Sequence, residues 1–164
     1  MGPGPTGCRR GLVIVHTGAG KGKTTAALGL ALRALGQGRR VAMIQFIKAD
    51  RATGEQKVAP LLGEGFSLRT MGCGFVIGEW TSQDIAAARA AWQVACENVL
   101  SGGYDMVILD EVTYVLNAGV VSQEELDELV AARGQGVTLV FTGRDAPDRL
   151  IEAADLVTEM VCHK

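Results

Sequence analysis

Nine residues, Thr17 to Thr25, read TGAGKGKTT and follow directly on the apolar run GLVIV. Gly18, Gly20 and Gly22 permit positive φ and let the backbone come close to an anion. Successive N–H groups can then face a concavity at the positive end of a following helix. Lys23 supplies a compact point charge and Thr24 a hydroxyl oxygen for Mg²⁺. Together these are the parts of a phosphate-binding loop. The standard spacing G-x-x-x-x-G-K-[ST] is not met. Counted back from Gly22-Lys23-Thr24, its first glycine falls at position 17, which is Thr. The alternative reading is a glycine-rich strand-to-helix turn with Lys23 solvated. Strand, G-K-T-T and helix in succession favour the nucleotide site.

Such a site needs an acid at the end of a neighbouring strand, and YDMVILDE (104–111) supplies Asp110 and Glu111. One carboxylate can hold Mg²⁺ directly or through water, while the other positions a nucleophile or completes the metal shell. Spacing does not decide between them. Alone, two acids at a strand end would read as a turn or helix cap. FTGR places Arg144 at the end of another strand, on the edge where α/β proteins bind ligands.

The elements that must position these residues alternate along the chain. Short β-branched runs are expected as strands at about 11–16, 39–47, 66–71 and 104–111, and in GVTLVFTGR and DLVTEMV. A helix rich in Ala and Leu follows the glycine loop and ends at Gly36 and Gly38. The polar stretch KADRATGEQKVAPLLGEG is expected as loop with a short helix, and GCGFVIGEW as irregular. Thr81 with Asp84, and Ser122 with Glu125, are capping-box pairs that open two more helices. Ile85, Ala88, Trp92, Ala95 and Val99 give the first of these one apolar stripe. A last helix is expected around 147–154. Six strands with helical crossovers imply a single-domain α/β fold of the P-loop NTPase kind, a mostly parallel six-stranded sheet with helices on both faces. The expected division is a flexible leader, 1–10, and one nucleotide-binding domain, 11–164.

Composition adds bounds. With 164 residues, 48% hydrophobic and 21% charged, the chain is of ordinary globular make-up. A formal net charge of −2 gives no global reason to expect nucleic acid or a membrane surface as partner. No apolar run reaches the roughly 18 residues that span a bilayer, and MGPGPTGCRR lacks a signal peptide's apolar stretch. Cys8, Cys73, Cys96 and Cys162 are widely spaced, which fits reduced thiols in a cytoplasmic protein.

Several segments, in order, carry a more specific resemblance: TGAGKGKTTAALGLALRA, IQFIKA, MGCGF, VILDEVTYVLNAG, FTGR and ADLVTEM. Together they resemble the P-loop-type corrinoid adenosyltransferases, ATP:cob(I)alamin or cob(I)yrinic acid a,c-diamide adenosyltransferases, over about residues 11–162. The family's loop is a shortened Walker A that resembles this one, including the Thr. The resemblance implies that Thr17, Gly18, Ala19, Gly20, Lys21, Gly22, Lys23, Thr24, Thr25 and Arg144 bind ATP reversed, the γ-phosphate where an α-phosphate usually sits. It implies transfer of the 5′-deoxyadenosyl group to Co(I), with tripolyphosphate leaving against Lys23, Lys21 and Mg²⁺. Thr24, Glu111 and Asp110 form the metal set, with Glu111 favoured as ligand.

Cob(I)alamin is a strong nucleophile with no proton to remove, so no general base is required, and His16 is expected as a strand-end residue. The resemblance implies corrin-facing aromatics after the third strand. Phe75 matches the first, Ile77 stands where the family has Trp, and Trp80 is a possible substitute. Ala19 replaces a frequent Asn. A flavoprotein reductase and a homodimer are implied by the family alone. The competing readings are a kinase or ATPase acting at the γ-phosphate, and a non-catalytic corrinoid-binding protein.

Overall fold

A computed structural model describes residues 10–47, 53–72, 74 and 78–164. Its strands are β1 (Val13–Thr17), β2 (Val41–Gln45), β3 (Phe66–Thr70), β4 (Met106–Asp110), β5 (Thr138–Thr142) and β6 (Leu156–Glu159). They form one sheet in the order β3-β2-β4-β5-β1-β6, and every pairing is parallel. The expected mostly parallel sheet is therefore wholly parallel among the described residues. Parallel strands need crossovers, and helices supply them: α1 (Lys23–Gly36), α2 (Gly54–Val58), α3 (Ser82–Leu100), α4 (Val112–Asn117), α5 (Gln123–Ala132) and α6 (Asp148–Ala153).

Both faces of the sheet are covered, which is why β1, β2 and β4 are buried along their whole length. On one face Ile14, Val41, Met43, Ile108 and Val140 meet Ala27 and Ala31 of α1. On the other, Val15, Ile44, Val107, Leu109 and Phe141 meet Ala88, Ala91, Trp92, Ala95 and Val99 of α3, together with Leu126 of α5 and Leu150 of α6. The helix after β1 thus lies on one face, and the helices after β4 and β5 on the opposite one. That divergence opens a crevice at the carboxyl ends of these strands, where open α/β sheets bind ligands.

Local chemistry sets the helix ends. Thr81 and Asp84 close a reciprocal capping box on α3, and Ser122 and Glu125 do so on α5. The α3 stripe differs from expectation at one position. Ile85 is exposed, because it precedes the first α3 residue that reaches the sheet, Ala88. α4 was not expected. It is only six residues long, and Val112, Val115 and Leu116 hold it by burial rather than by a capping signal. Among the described residues no helix is long and apolar enough to cross a membrane.

Candidate active site

The glycine loop turns at the carboxyl end of β1 and enters α1. Gly18 (φ 95°) and Gly22 (φ 109°) occupy the left-handed region that only glycine adopts without strain. Gly22 is the N-cap of α1 and has no side-chain cap. The first intrahelical bond is Ala26 N–H to Gly22 O, at 2.7 Å. The N–H groups of Gly22, Lys23, Thr24 and Thr25 precede it and have no acceptor within the helix. They lie at the positive end of a 14-residue helix, where an anion is favoured.

One donor is committed elsewhere. Gly20 N–H donates to Met160 O at 2.7 Å, clamping the loop to the chain just after β6. A Cβ on Gly20 would lie 2.6 Å from that same carbonyl, so glycine is required here by close backbone approach. Thr17, the residue out of register with the standard motif, also has a structural task. Its Oγ1 accepts from Ala146 N–H at 3.1 Å and its carbonyl from Met160 N–H at 2.8 Å. It thereby ties the segment after β5, which carries Arg144, to the loop.

Lys23 is buried, and its Nζ donates to Gly18 O and Gly20 O, both at 2.7 Å. The ammonium thus sits inside the loop it braces. Thr24 Oγ1 donates to Asp110 Oδ1 at 2.8 Å, and Thr142 Oγ1 donates to the same oxygen at 2.7 Å. Gln45 Nε2 donates to Asp110 Oδ2 at 3.1 Å. Asp110 is fully buried under these donors. Glu111 differs: it is partly exposed at the cleft, with its Oε2 buried, and its backbone lies in the left-handed region (φ 63°, ψ 23°). Such a conformation costs roughly 1–2 kcal/mol for a residue with a Cβ. The bond from Glu111 N–H to Thr142 Oγ1, at 2.9 Å, helps hold it.

Gly20, Lys21, Gly22, Lys23, Thr24, Thr25, Glu111, Tyr114 and Arg144 line one cleft of about 300 Å³. The structure therefore brings the loop, one of the two acids and the strand-end arginine together, with Asp110 directly behind Thr24. Thr17 lies beneath the loop and Ala19 on its exposed side, outside the cleft lining. Tyr114 was missed by sequence reasoning. Its signal was its place three residues after Glu111, in the first turn of the helix that Glu111 caps. Burial pushes its phenol pKa up, the Glu111 carboxylate adds to that, and the Arg144 guanidinium opposes it.

Thr24, Asp110 and Glu111 offer only hard oxygen donors. That suits Mg²⁺, which takes one or two carboxylates and completes its shell with water and substrate phosphates. Among the described residues no cluster of three or more His, Cys, Asp and Glu could hold a metal ion by itself. His16 is buried in β1 and does not line the cleft; burial holds its pKa below the ordinary value. Trp80 is half-buried and packs against the α3-side core. Phe75 and Ile77 lie outside the described residues, as do Cys8 and Cys73.

Residues 9–164 match the family described as ATP:corrinoid adenosyltransferase BtuR/CobO/CobP. The chain is 41% identical over 155 residues to a corrinoid adenosyltransferase of Pseudomonas aeruginosa, an alignment covering 92% of this chain and 75% of that protein. It is 39% identical to the Escherichia coli K12 corrinoid adenosyltransferase and to the Salmonella typhimurium corrinoid adenosyltransferase CobA. Each of those alignments covers 92% of this chain and 76% of the relative. The chain belongs to the ATP:corrinoid adenosyltransferase family of enzymes.

Proposed function

We propose that the chain transfers the 5′-deoxyadenosyl group of ATP to Co(I) of a corrinoid and releases tripolyphosphate, in adenosylcobalamin biosynthesis or salvage. The observation that carries this is the cleft itself. It sets Lys21, Lys23, Arg144 and the first-turn N–H groups of α1 where a polyphosphate would lie, and its acids, Glu111 in the lining and Asp110 behind Thr24, are read as metal ligands rather than as an acceptor-positioning base. A γ-phosphoryl transfer to water or an alcohol would call for a group to position or deprotonate the acceptor. Alkylation of Co(I) needs none. Its electron pair forms the Co–C5′ bond, the C5′–O bond breaks, and that bond's electrons remain on tripolyphosphate. Cobalt passes formally from Co(I) to Co(III).

The protein's work is alignment and charge stabilisation. Lys23, Lys21, Arg144 and the first-turn N–H groups of α1 hold the triphosphate as a leaving group, with the ribose directed out of the loop toward the corrin. Thr24 and Glu111 hold Mg²⁺ at the cleft, and Asp110 supports it from behind Thr24. Bound there, Mg²⁺ would neutralise part of the negative charge that develops on tripolyphosphate. Phe75, Ile77 and Trp80 belong to the corrin side in this reading, and Co(I) is supplied by a flavoprotein reductase. The protein works in the cytoplasm as a homodimer.

Anaerobic incubation with ATP, Mg²⁺ and cob(I)alamin tests the reading. A light-sensitive Co–C absorbance spectrum should appear together with intact tripolyphosphate in the phosphorus NMR spectrum. ADP with phosphate would indicate γ-phosphoryl chemistry, and unchanged ATP a binding protein without turnover.

A further inference from the structure

The α1 side of the sheet ends in a row of polar residues, one on each strand. Val41, Met43 and Gln45 alternate onto the α1 face, as do Phe66, Leu68 and Thr70 on β3 and Met106, Ile108 and Asp110 on β4. Register places Gln45 directly between Thr70 and Asp110. In the middle of this row a fully buried glutamine is expensive unless every polar atom of its amide is used. Here all are used. Nε2 donates to Asp110 Oδ2 at 3.1 Å and to Glu55 Oε1 at 3.2 Å, while Oε1 accepts from Thr70 Oγ1 at 3.0 Å. Thr70 Oγ1 in turn accepts from Gln56 Nε2 at 2.6 Å.

The amide has a single workable orientation. Two carboxylates lie on its NH₂ side, and a flipped amide would set its oxygen against both. Gln45 therefore fixes the plane of the Asp110 carboxylate. Asp110 in turn accepts the hydrogen bond of the Thr24 hydroxyl, which leaves that oxygen's lone pairs for the cleft. None of Gln45, Thr70 and Gln56 lines that cleft.

We propose that Gln45 is a positioning residue for the metal site: it orients Thr24 through Asp110 and couples that site to α2 and the end of β3 through Glu55, Thr70 and Gln56. The inference rests on the reading of Thr24, Asp110 and Glu111 as the Mg²⁺ set. Gln45 touches neither nucleotide nor metal in this scheme. Its loss should therefore change how strongly Mg²⁺ tightens ATP binding and leave metal-free binding to the loop nearly intact.

The test is calorimetric titration with ATP, in Mg²⁺ and in EDTA, of wild type, Gln45→Met, Thr70→Val and Thr70→Ser. Met conserves volume but cannot donate, and Val keeps the shape of Thr without its hydroxyl. The ratio of the two dissociation constants isolates the metal's contribution. In Gln45→Met that ratio should fall on the order of tenfold, the worth of one buried hydrogen bond to a charged group, with the EDTA value within about twofold of wild type. Thr70→Val should move the ratio in the same direction by less, and Thr70→Ser should restore it. An unchanged ratio in folded Gln45→Met overturns the proposal, as does equal weakening with and without Mg²⁺, which marks a purely structural residue. If Gln45→Met does not fold, Thr70→Val against Thr70→Ser decides, and equal ratios in those two overturn it. A wild-type protein with no Mg²⁺ effect would instead defeat the metal-site reading itself, and the inference with it.

Discussion

Two polar networks lie on opposite faces of this sheet, and they are built from different materials. On the α1 face, hydroxyls and an amide converge on one buried carboxylate, Asp110. On the other face, full charges pair in the open. Arg89 of α3 meets Glu125 of α5 at 2.7 Å, and Arg149 of α6 meets Glu124 and Asp127 of α5 at 3.2 and 2.7 Å. Arg89 and Arg149 keep about half of their side-chain surface in water, so solvent and salt screen these pairs. The stronger formal charges therefore contribute less. Neutral donors with nowhere else to go fix the atoms of the proposed metal site.

The comparison can be broken at its most consequential point first. Lys23→Ala removes the cation inside the loop, and kcat should fall on the order of 10²–10³-fold, as for loss of one group that stabilises developing charge. A steady-state assay retaining more than about a third of wild-type kcat would leave Lys23 as a brace for Gly18 and Gly20 only.

The two acids should separate next. Asp110→Asn sets an NH₂ group among three donors that point at the original carboxylate. It should cost about 1–3 kcal/mol of stability in denaturant unfolding. Glu111→Gln should leave stability near wild type and raise the Mg²⁺ needed for half-maximal rate by more than Asp110→Asn does. The reverse ranking would make Asp110 the metal ligand.

A smaller effect lies in the same polar row, at His16. Burial depresses its folded pKa, so the fold favours the neutral ring. That contribution is fully present above the unfolded value of 6.5 and is lost as pH falls from there through the folded pKa. The melting temperature should decline from pH 7.5 to 5.5, and His16→Gln should flatten the decline. Parallel slopes in the two proteins would show that His16 does not titrate on unfolding. The smallest effect belongs to the exposed network. A double-mutant cycle on Arg89 and Glu125 should give a coupling below about 1 kcal/mol. A larger value would erase the contrast between the two faces.

The same contrast separates what was legible in the sequence from what was not. Apolar runs, capping boxes and the glycine loop are local signals, and each marks its element: Thr81 and Ser122 cap the helices they were expected to open. The pairing of the loop with a strand-end acid was legible because both are short motifs. What escaped depends on neighbours distant in sequence. α4 forms because its apolar side is buried. Thr17, standing where the standard motif has glycine, accepts from Ala146, and Gly20 donates to Met160, each partner more than a hundred residues away. Gln45 and Thr142 could have been suspected as polar residues closing otherwise apolar strands. Their partners could not, since sheet order is not written in any one strand. The contrast between Asp110, buried and fully bonded, and Glu111, partly exposed at the cleft on a left-handed backbone, is likewise a tertiary result.

The central claim is that the bond broken in ATP is C5′–O, with the triphosphate leaving whole from the loop. ATP carrying ¹⁸O in the bridge between C5′ and the α-phosphorus reports that bond directly. After a single turnover with Mg²⁺ and cob(I)alamin, mass spectrometry should find the label entirely in tripolyphosphate and none in the adenosyl product. Label retained in ADP, AMP or adenosine would place the cleavage at phosphorus and contradict the account.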